Sequence, residues 1–187
     1  MDVLGGLSSN SDSSFLTFKT ADQAWYIGSE VLDFTYMQLD PETFQSGWGM
    51  YNGGEWLFQW DKKFGVPDDK PSEDHKRAFN AWVLVDGYDK PLNWVRFDYA
   101  QRTAFNQILG LFWNDLHGKA PALPTVKFEK SERITVGKGN SSELTFSWVD
   151  FKPRKAEFVI PEWANDDAPV KAVVEAESKI SNDDIPF

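Results

Sequence analysis

Alternating apolar and polar positions dominate the chain and predict β-strands more often than helices. Aromatic and β-branched residues cluster over residues 15–36 and again over residues 47–60, where two consecutive glycines interrupt the run. Residues 40–42, Asp-Pro-Glu, have the composition of a turn. The polar residues 61–73 contain two prolines and predict a loop. The first part of the chain is therefore expected to form strands joined by turns and one loop.

A hairpin and a single helix follow. The apolar runs 77–86 and 92–99 flank turn residues that include glycine and proline, which predicts a β-hairpin. Apolar residues at intervals of three and four predict a helix over residues 99–117. Asp98, with Gln101 three residues later, resembles a capping box at the start of this helix.

Two more strands, at about residues 125–136 and 143–151, are expected after the helix. Three strands, a helix and two strands are the chain order of the OB-fold, a small Greek-key barrel that binds oligonucleotides or oligosaccharides. We therefore predict a mainly β protein with one prominent helix: an OB-fold-like five-stranded Greek-key barrel with additional N-terminal strands and a disordered acidic C-terminal tail. The expected divisions are a flexible arm (residues 1–14), the barrel domain (residues 15–160) and an acidic linker with a terminal tip (residues 161–187).

Composition excludes several kinds of site among the 187 residues. There is no cysteine, which excludes disulfides and thiolate metal sites, and two histidines leave little room for a zinc site or a Ser-His triad. No carboxylates lie closely spaced with a lysine or histidine partner, so we predict no enzyme activity, cofactor or metal. The absence of a long apolar run and of a signal-peptide pattern at the start predicts a cytoplasmic protein without a membrane partner.

The charge is unevenly distributed. A formal net charge of −10 argues at first against a nucleic-acid partner. However, residues 156–187 hold eight acidic and two basic residues, whereas residues 116–155 hold eight basic and four acidic residues. A locally basic stretch is therefore followed by an acidic tail, and the local charges are compatible with binding an anion.

Tryptophans are unusually abundant, with nine in the chain, and the hairpin holds two of them. If residue 86 pairs with residue 92, Trp82, Trp94 and Arg96 share the face opposite an apolar core face that includes Phe97. Two indoles beside a guanidinium predict a stacking platform for nucleobases. The alternative is that the N-terminal strands or the helix cover this face and that Trp82 is structural.

A second candidate surface precedes the loop. Trp56, Phe58 and Trp60 alternate along one predicted strand, and Lys62 and Lys63 follow at once. Rings interleaved with cations suit a sugar-phosphate strand, although three aromatic residues on one strand face are also typical of a core. Lys76 and Arg77 stand at the hairpin entrance and are expected to line the same groove, while Trp113 and Trp148 are assigned to the core or an interface.

The last residues carry the most specific signal. The chain ends in Asp183, Asp184, Ile185, Pro186 and Phe187, a short acidic peptide with a terminal ring and a free carboxylate, which suits docking into an apolar pocket rimmed by cations. This end resembles the tip of bacterial single-stranded DNA-binding proteins, which end in Asp-Asp-Asp-Ile-Pro-Phe or close variants. In that family the tip follows an OB-fold core and a linker, and recruits replication, recombination and repair proteins.

The rest of the chain is similar to the divergent OB-type single-stranded DNA-binding proteins encoded by tailed phages. The resemblance implies sequence-independent binding and protection of single-stranded DNA, recruitment of host proteins through the tip, and a bacterial host cell as the location. Self-association through the arm or the added strands is left open. The main alternative is a carbohydrate-binding module, because tryptophan-rich β domains also stack sugars.

Overall fold

The structure is a computed structural model that describes residues 14–164, except the side chain of Trp163. The predicted tail residues 165–187 and arm residues 1–13 lie outside this range. The elements are strands β1 (Leu16–Lys19), β2 (Ala24–Ile27), β3 (Glu30–Leu32), β4 (Tyr36–Asn52), β5 (Glu55–Trp60), β6 (Lys76–Val85), β7 (Leu92–Arg96), β8 (Leu123–Val136) and β9 (Gly139–Lys152), helix α1 (Tyr99–Phe112), and short 3-10 helices at Trp113–Asp115 and Glu162–Ala164.

Two antiparallel sheets make up the fold. The larger has the order β7-β6-β4-β8-β9, with β5 paired to the second half of β4, and the smaller has the order β1-β2-β3. The spatial order β8-β4-β6-β7 places the fourth strand beside the first, which is the connectivity of a Greek key. The mainly β class with one helix is confirmed. The sheets are not closed, since no strand pairing joins β7 to β9 within the described residues.

The central strand β4 continues through the predicted turn at residues 40–42, which is a correction to the sequence analysis. The pairing register between β4 and β6 shifts between Asp40 and Gln45, which marks a bulge. Pro41 has no amide hydrogen and is tolerated in this irregular segment. The hydroxyl of Thr43 accepts a hydrogen bond from the Trp82 amide at 3.0 Å. One long, bent strand can therefore pair with β8 near its start, with β5 near its end and with β6 along both parts.

Helix α1 closes the main core and begins as the capping pattern predicts. Asp98 is the N-cap and accepts a hydrogen bond from the Gln101 amide. The buried Gln101 side chain also accepts hydrogen bonds from the Phe18 amide and the Trp94 indole, both at 3.0 Å. One side chain thus joins the helix to β1 and β7. The helix ends earlier than predicted, at Phe112, where a 3-10 turn replaces the last residues.

A segment after β9 covers part of the sheet face that lies opposite the main core. Phe158 and Ile160 pack against Trp82 and Leu84 in a second, smaller apolar cluster. Arg154 fixes this segment through an ion pair of 2.6 Å with Asp40. In the part of the chain that the structure describes, no helix is long and apolar enough to span a lipid bilayer.

Candidate nucleic-acid interface

The predicted stacking platform on the β6–β7 hairpin is not formed. Strand β6 pairs Ala81 with Trp94 and Val83 with Leu92, whereas the prediction placed residue 84 opposite Trp94. The register differs by three positions, and an odd shift moves Trp94 to the opposite face of the sheet. Its side chain is 0% exposed and lies in the core, where Phe79 contacts it at 5.0 Å. The predicted exposure of Trp94 is therefore wrong.

Trp82 is also buried, for a different reason. It lies on the outer face of β6, as expected, but it is 3% exposed because Phe158 and Ile160 cover it. The alternative reading, in which this face is covered, is correct, but the cover comes from the segment after β9. The predicted platform thus loses both of its indoles.

Arg77 is held inside the protein and does not line an open groove. Its guanidinium donates two hydrogen bonds to Asp61, at 3.1 and 2.6 Å, and lies 4.8 Å from the centre of the Trp48 ring. Asp61 also accepts hydrogen bonds from the Ser46 hydroxyl at 2.6 Å and the Asp68 amide at 3.0 Å. Burial acts to raise the pKa of the Asp61 carboxyl, but these hydrogen bonds outweigh it and the pKa is lowered.

The second candidate surface, on β5, does bring aromatic side chains together. Trp56 and Phe58 lie on one face of β5, opposite Tyr51 and Gly49 of β4. Trp56 is 37% exposed and Tyr51 is 58% exposed, so the surface is accessible. We call this surface the aromatic face; its members are Tyr51, Trp56, Phe58, Trp60 and Phe97.

Two glycines of β4 make the aromatic face possible. A Cβ atom at Gly49 would lie 2.7 Å from Cδ1 of Phe97 and 2.9 Å from Cε1 of Phe58. A Cβ atom at Gly47 would lie 2.8 Å from Cα of Trp60 and 2.9 Å from its Cε3, and would collide with the carbonyl oxygen of Gln59. The rings and the β5 backbone therefore occupy space that any larger residue would need.

The rings contact one another closely. Phe58 and Trp60 stack with 5.1 Å between centroids and 6° between planes, and Trp56 lies 4.9 Å from Phe97. Tyr51 contacts Trp56 at 5.4 Å. Such contacts hold each ring in place.

Sequence reasoning missed two of these rings. The predicted hairpin register places Phe97 in the core, and Tyr51 is not among the predicted site residues. The signal was present: Gly47 and Gly49 alternate in one strand while aromatic residues alternate in the next. When glycines of one strand pair with aromatic residues of the next across a two-glycine turn, the rings are expected to lie against the glycine-bearing strand.

Cations border the aromatic face. The guanidinium of Arg96 lies 5.4 Å from the centre of the Trp56 ring. Burial lowers the pKa of Arg96, and the charge of Asp98 opposes that shift. Lys76 pairs with Gly49 from the other side, which places it on the same sheet face as Phe58. Lys62 and Lys63 are exposed just after β5. None of the ion pairs found within residues 14–164 involves these three lysines.

The remaining predicted residues lie elsewhere. Trp113 packs against the core beside Phe64 at 5.2 Å. Trp148 of β9 is 36% exposed and contacts Phe151 at 4.9 Å. The predicted partner-binding residues 183–187 lie outside the described residues. Among residues 14–164, no group of three or more histidine or carboxylate side chains is placed to hold a metal ion.

Comparison with known proteins gives no relative. No protein-family model matches the chain, and neither a curated protein nor a solved structure matches it.

Proposed function

We propose that this protein binds single-stranded DNA without regard to sequence, through the aromatic face and the cations at its border. The observation that carries the proposal is the aromatic face, in which Tyr51 and Trp56 are exposed, next to the cations Lys62, Lys63, Lys76 and Arg96. Every base has a flat surface that can stack on such rings, and every nucleotide carries a phosphate for the cations. Nothing in this set of side chains is suited to reading one base in particular.

The strand arrangement supports the same proposal. In chain order, β4, β6, β7, β8 and β9 have α1 between the third and fourth strands, and the first strand lies beside the fourth. We propose that these five strands are an open form of the OB-fold, to which β1–β3 and β5 are added. OB-folds commonly bind single strands on a sheet face that carries aromatic residues.

The end of the chain adds a second, non-enzymatic role. The five residues Asp183–Phe187 resemble the tip through which bacterial single-stranded DNA-binding proteins recruit replication, recombination and repair proteins. We propose that this protein, encoded by a phage, protects single strands and uses its tip to bring such proteins of the host to them. DNA binding can be tested independently of this recruitment, because the two roles depend on different residues.

A titration with oligothymidylate, followed by tryptophan fluorescence, tests the proposed role. Trp56→Ala is expected to weaken binding by about 1–3 kcal/mol, the contribution of one stacked base. Trp148→Ala is the matched control, since Trp148 is a similarly exposed tryptophan on another strand. Neutralising Lys62 or Lys76 is expected to reduce the salt dependence by about 0.7 in log–log slope for each lost phosphate contact.

The same titration separates the carbohydrate-binding alternative. A soluble glycan has no phosphates, so its binding would be nearly independent of salt and of Lys62 or Lys76. Binding of the glycan in preference to oligothymidylate, or equal oligothymidylate affinities for wild type and Trp56→Ala, would contradict the proposed role.

The acidic tail is expected to compete with DNA for the cations. Ala164, the last described residue, packs against the small cluster that contains Trp82, on the sheet face that also bears the aromatic face. Residues 165–187 continue from there with six acidic and two basic residues. Deleting residues 165–187, while keeping the segment that covers Trp82, should raise the affinity for oligothymidylate at low salt and much less at high salt. An affinity that is unchanged or lower at low salt would exclude this competition.

A further inference from the structure

The three aromatic residues of β5 follow one another at a regular Cα spacing. Trp56, Phe58 and Trp60 occupy alternate positions of one strand, so their Cα atoms advance by about 6.8 Å from one ring to the next. This advance is comparable with the distance between successive phosphates of an extended polynucleotide. A strand that follows β5 would therefore pass Trp56, Phe58 and Trp60 in turn, with no base between Phe58 and Trp60, whose rings already stack at 5.1 Å.

Cations lie near both ends of this row of rings. Arg96 lies beside Trp56, and Lys76 occupies the same cross-strand row as Phe58, with Gly49 between them. Lys62 is exposed two residues after Trp60. Arg96 at Trp56 and Lys62 beyond Trp60 therefore place positive charge near both ends of a path along β5, where the phosphates of a bound strand would pass.

Phe97 blocks a path that would cross the sheet toward β7. It contacts Trp56 at 4.9 Å and Phe58 at 6.1 Å, and its ring lies directly above Gly49 of β4. A strand leaving β5 across β4 would have to pass over this ring. Phe97 thus forms a wall along the side of β5 that faces the rest of the sheet.

We infer that the bound single strand lies parallel to β5, with three consecutive nucleotides extending from Trp56 to Trp60, the two end bases on these tryptophans and Phe97 as a side wall. This inference rests on the proposed DNA binding and goes further, because it fixes the path and the order of contacts. The two terminal bases of a bound trinucleotide then rest on different tryptophans. Trp56 and Trp60 should respond to opposite ends of the same ligand.

Competition experiments with short ligands test the path. The probes are a thymidine trinucleotide with phosphates at both ends and three versions of it with an abasic sugar at the first, second or third position. Each displaces a labelled long oligothymidylate from wild type, Trp56→Ala, Trp60→Ala or the control Trp148→Ala. On the complete trinucleotide, Trp56→Ala and Trp60→Ala should each weaken binding about 5- to 150-fold, and Trp148→Ala should not.

The abasic probes supply the decisive comparison. The loss caused by Trp60→Ala should vanish when one terminal base is missing, and the loss caused by Trp56→Ala should vanish when the other terminal base is missing. Losses that vanish at the same position, or at neither, overturn the path. A trinucleotide that fails to compete at millimolar concentration overturns it too. If the long oligothymidylate itself does not bind wild type, the proposed function fails, and that outcome is distinct from all the others.

Discussion

Replacing Arg77 with alanine is expected to destabilise the protein by about 3–5 kcal/mol, which is the cost of leaving one member of a buried ion pair without its partner. Asp61 is buried and receives both guanidinium hydrogen bonds, so the substitution leaves a buried carboxylate without its counter-ion. Equilibrium unfolding in urea measures the loss. Arg77→Lys is expected to restore only part of it, because an ammonium group cannot form the two parallel hydrogen bonds.

Lys70→Ala is the control for this experiment. Lys70 pairs with Glu73 at 3.6 Å on the surface, where water screens both charges. Its removal should change the free energy of unfolding by less than about 1 kcal/mol. If Arg77→Ala had an effect as small as this, the ion pair would not be holding β6 to the loop after β5.

Acid should weaken the same interaction. The pKa of Asp61 in the folded protein lies below its ordinary value of 3.8, so the carboxylate stabilises the folded state above that value. This contribution is lost as the pH falls through the folded pKa and the carboxyl takes up a proton. The stability difference between wild type and Arg77→Ala should therefore be constant near neutral pH and shrink below about pH 4. A difference that grew on acidification would contradict this assignment.

Arg77 influences the candidate interface through the loop that Asp61 begins. The Lys62 amide donates to the Asp68 carboxylate at 3.2 Å, and the Asp68 amide donates to Asp61 at 3.0 Å. The ion pair thus fixes the backbone on which Lys62 and Lys63 stand. In the proposed function Arg77 is a positioning residue, whereas the exposed lysines contact phosphate.

The sequence predicted those features of the site that depend on local pattern. Alternation along residues 55–60 placed Trp56, Phe58 and Trp60 on one face, and the structure confirms that they share it. The start of α1 at Asp98 follows from its capping residues in the same way. Both the shared face of β5 and the start of α1 depend on residues that are only a few positions apart in the sequence.

The features that were predicted wrongly depend on contacts far apart in the chain. Both faces of the β6–β7 hairpin are apolar, since Phe79 and Val83 point to one side and Trp82 and Leu84 to the other, so hydrophobic pattern could not select the register. The pairing begins only at Val83 and leaves a longer loop than the turn residues suggested. The cover of Trp82 lies more than seventy positions away, and nothing local indicates it.

Gly47→Ala is expected to destabilise the protein by about 1–3 kcal/mol, the usual cost of forcing an extra methyl group into occupied space. An alanine in a strand is ordinarily favoured over glycine, so the sign of the effect is itself informative. The new Cβ would meet the backbone of Gln59 and Trp60, which cannot move without parting β5 from β4. Gly139→Ala is the control, since its Cβ would have no neighbour closer than 3.8 Å. Unfolding in urea should show changes in the free energy of unfolding that have opposite signs in the two variants, or at least clearly different sizes.

Gly47→Ala is also expected to weaken DNA binding, because it displaces Trp60. The new Cβ would lie against the backbone and the ring of Trp60, so Trp60 would have to leave its present place on the sheet. The affinity for oligothymidylate should then fall by about 1–3 kcal/mol, as for the loss of one stacked base. Because the loss acts through Trp60, adding Trp60→Ala to Gly47→Ala should cost much less than Trp60→Ala costs in wild type. Fully additive losses would mean that Gly47 and Trp60 act independently. An unchanged affinity in Gly47→Ala, with the stability loss present, would mean that the aromatic face does not hold the nucleobases.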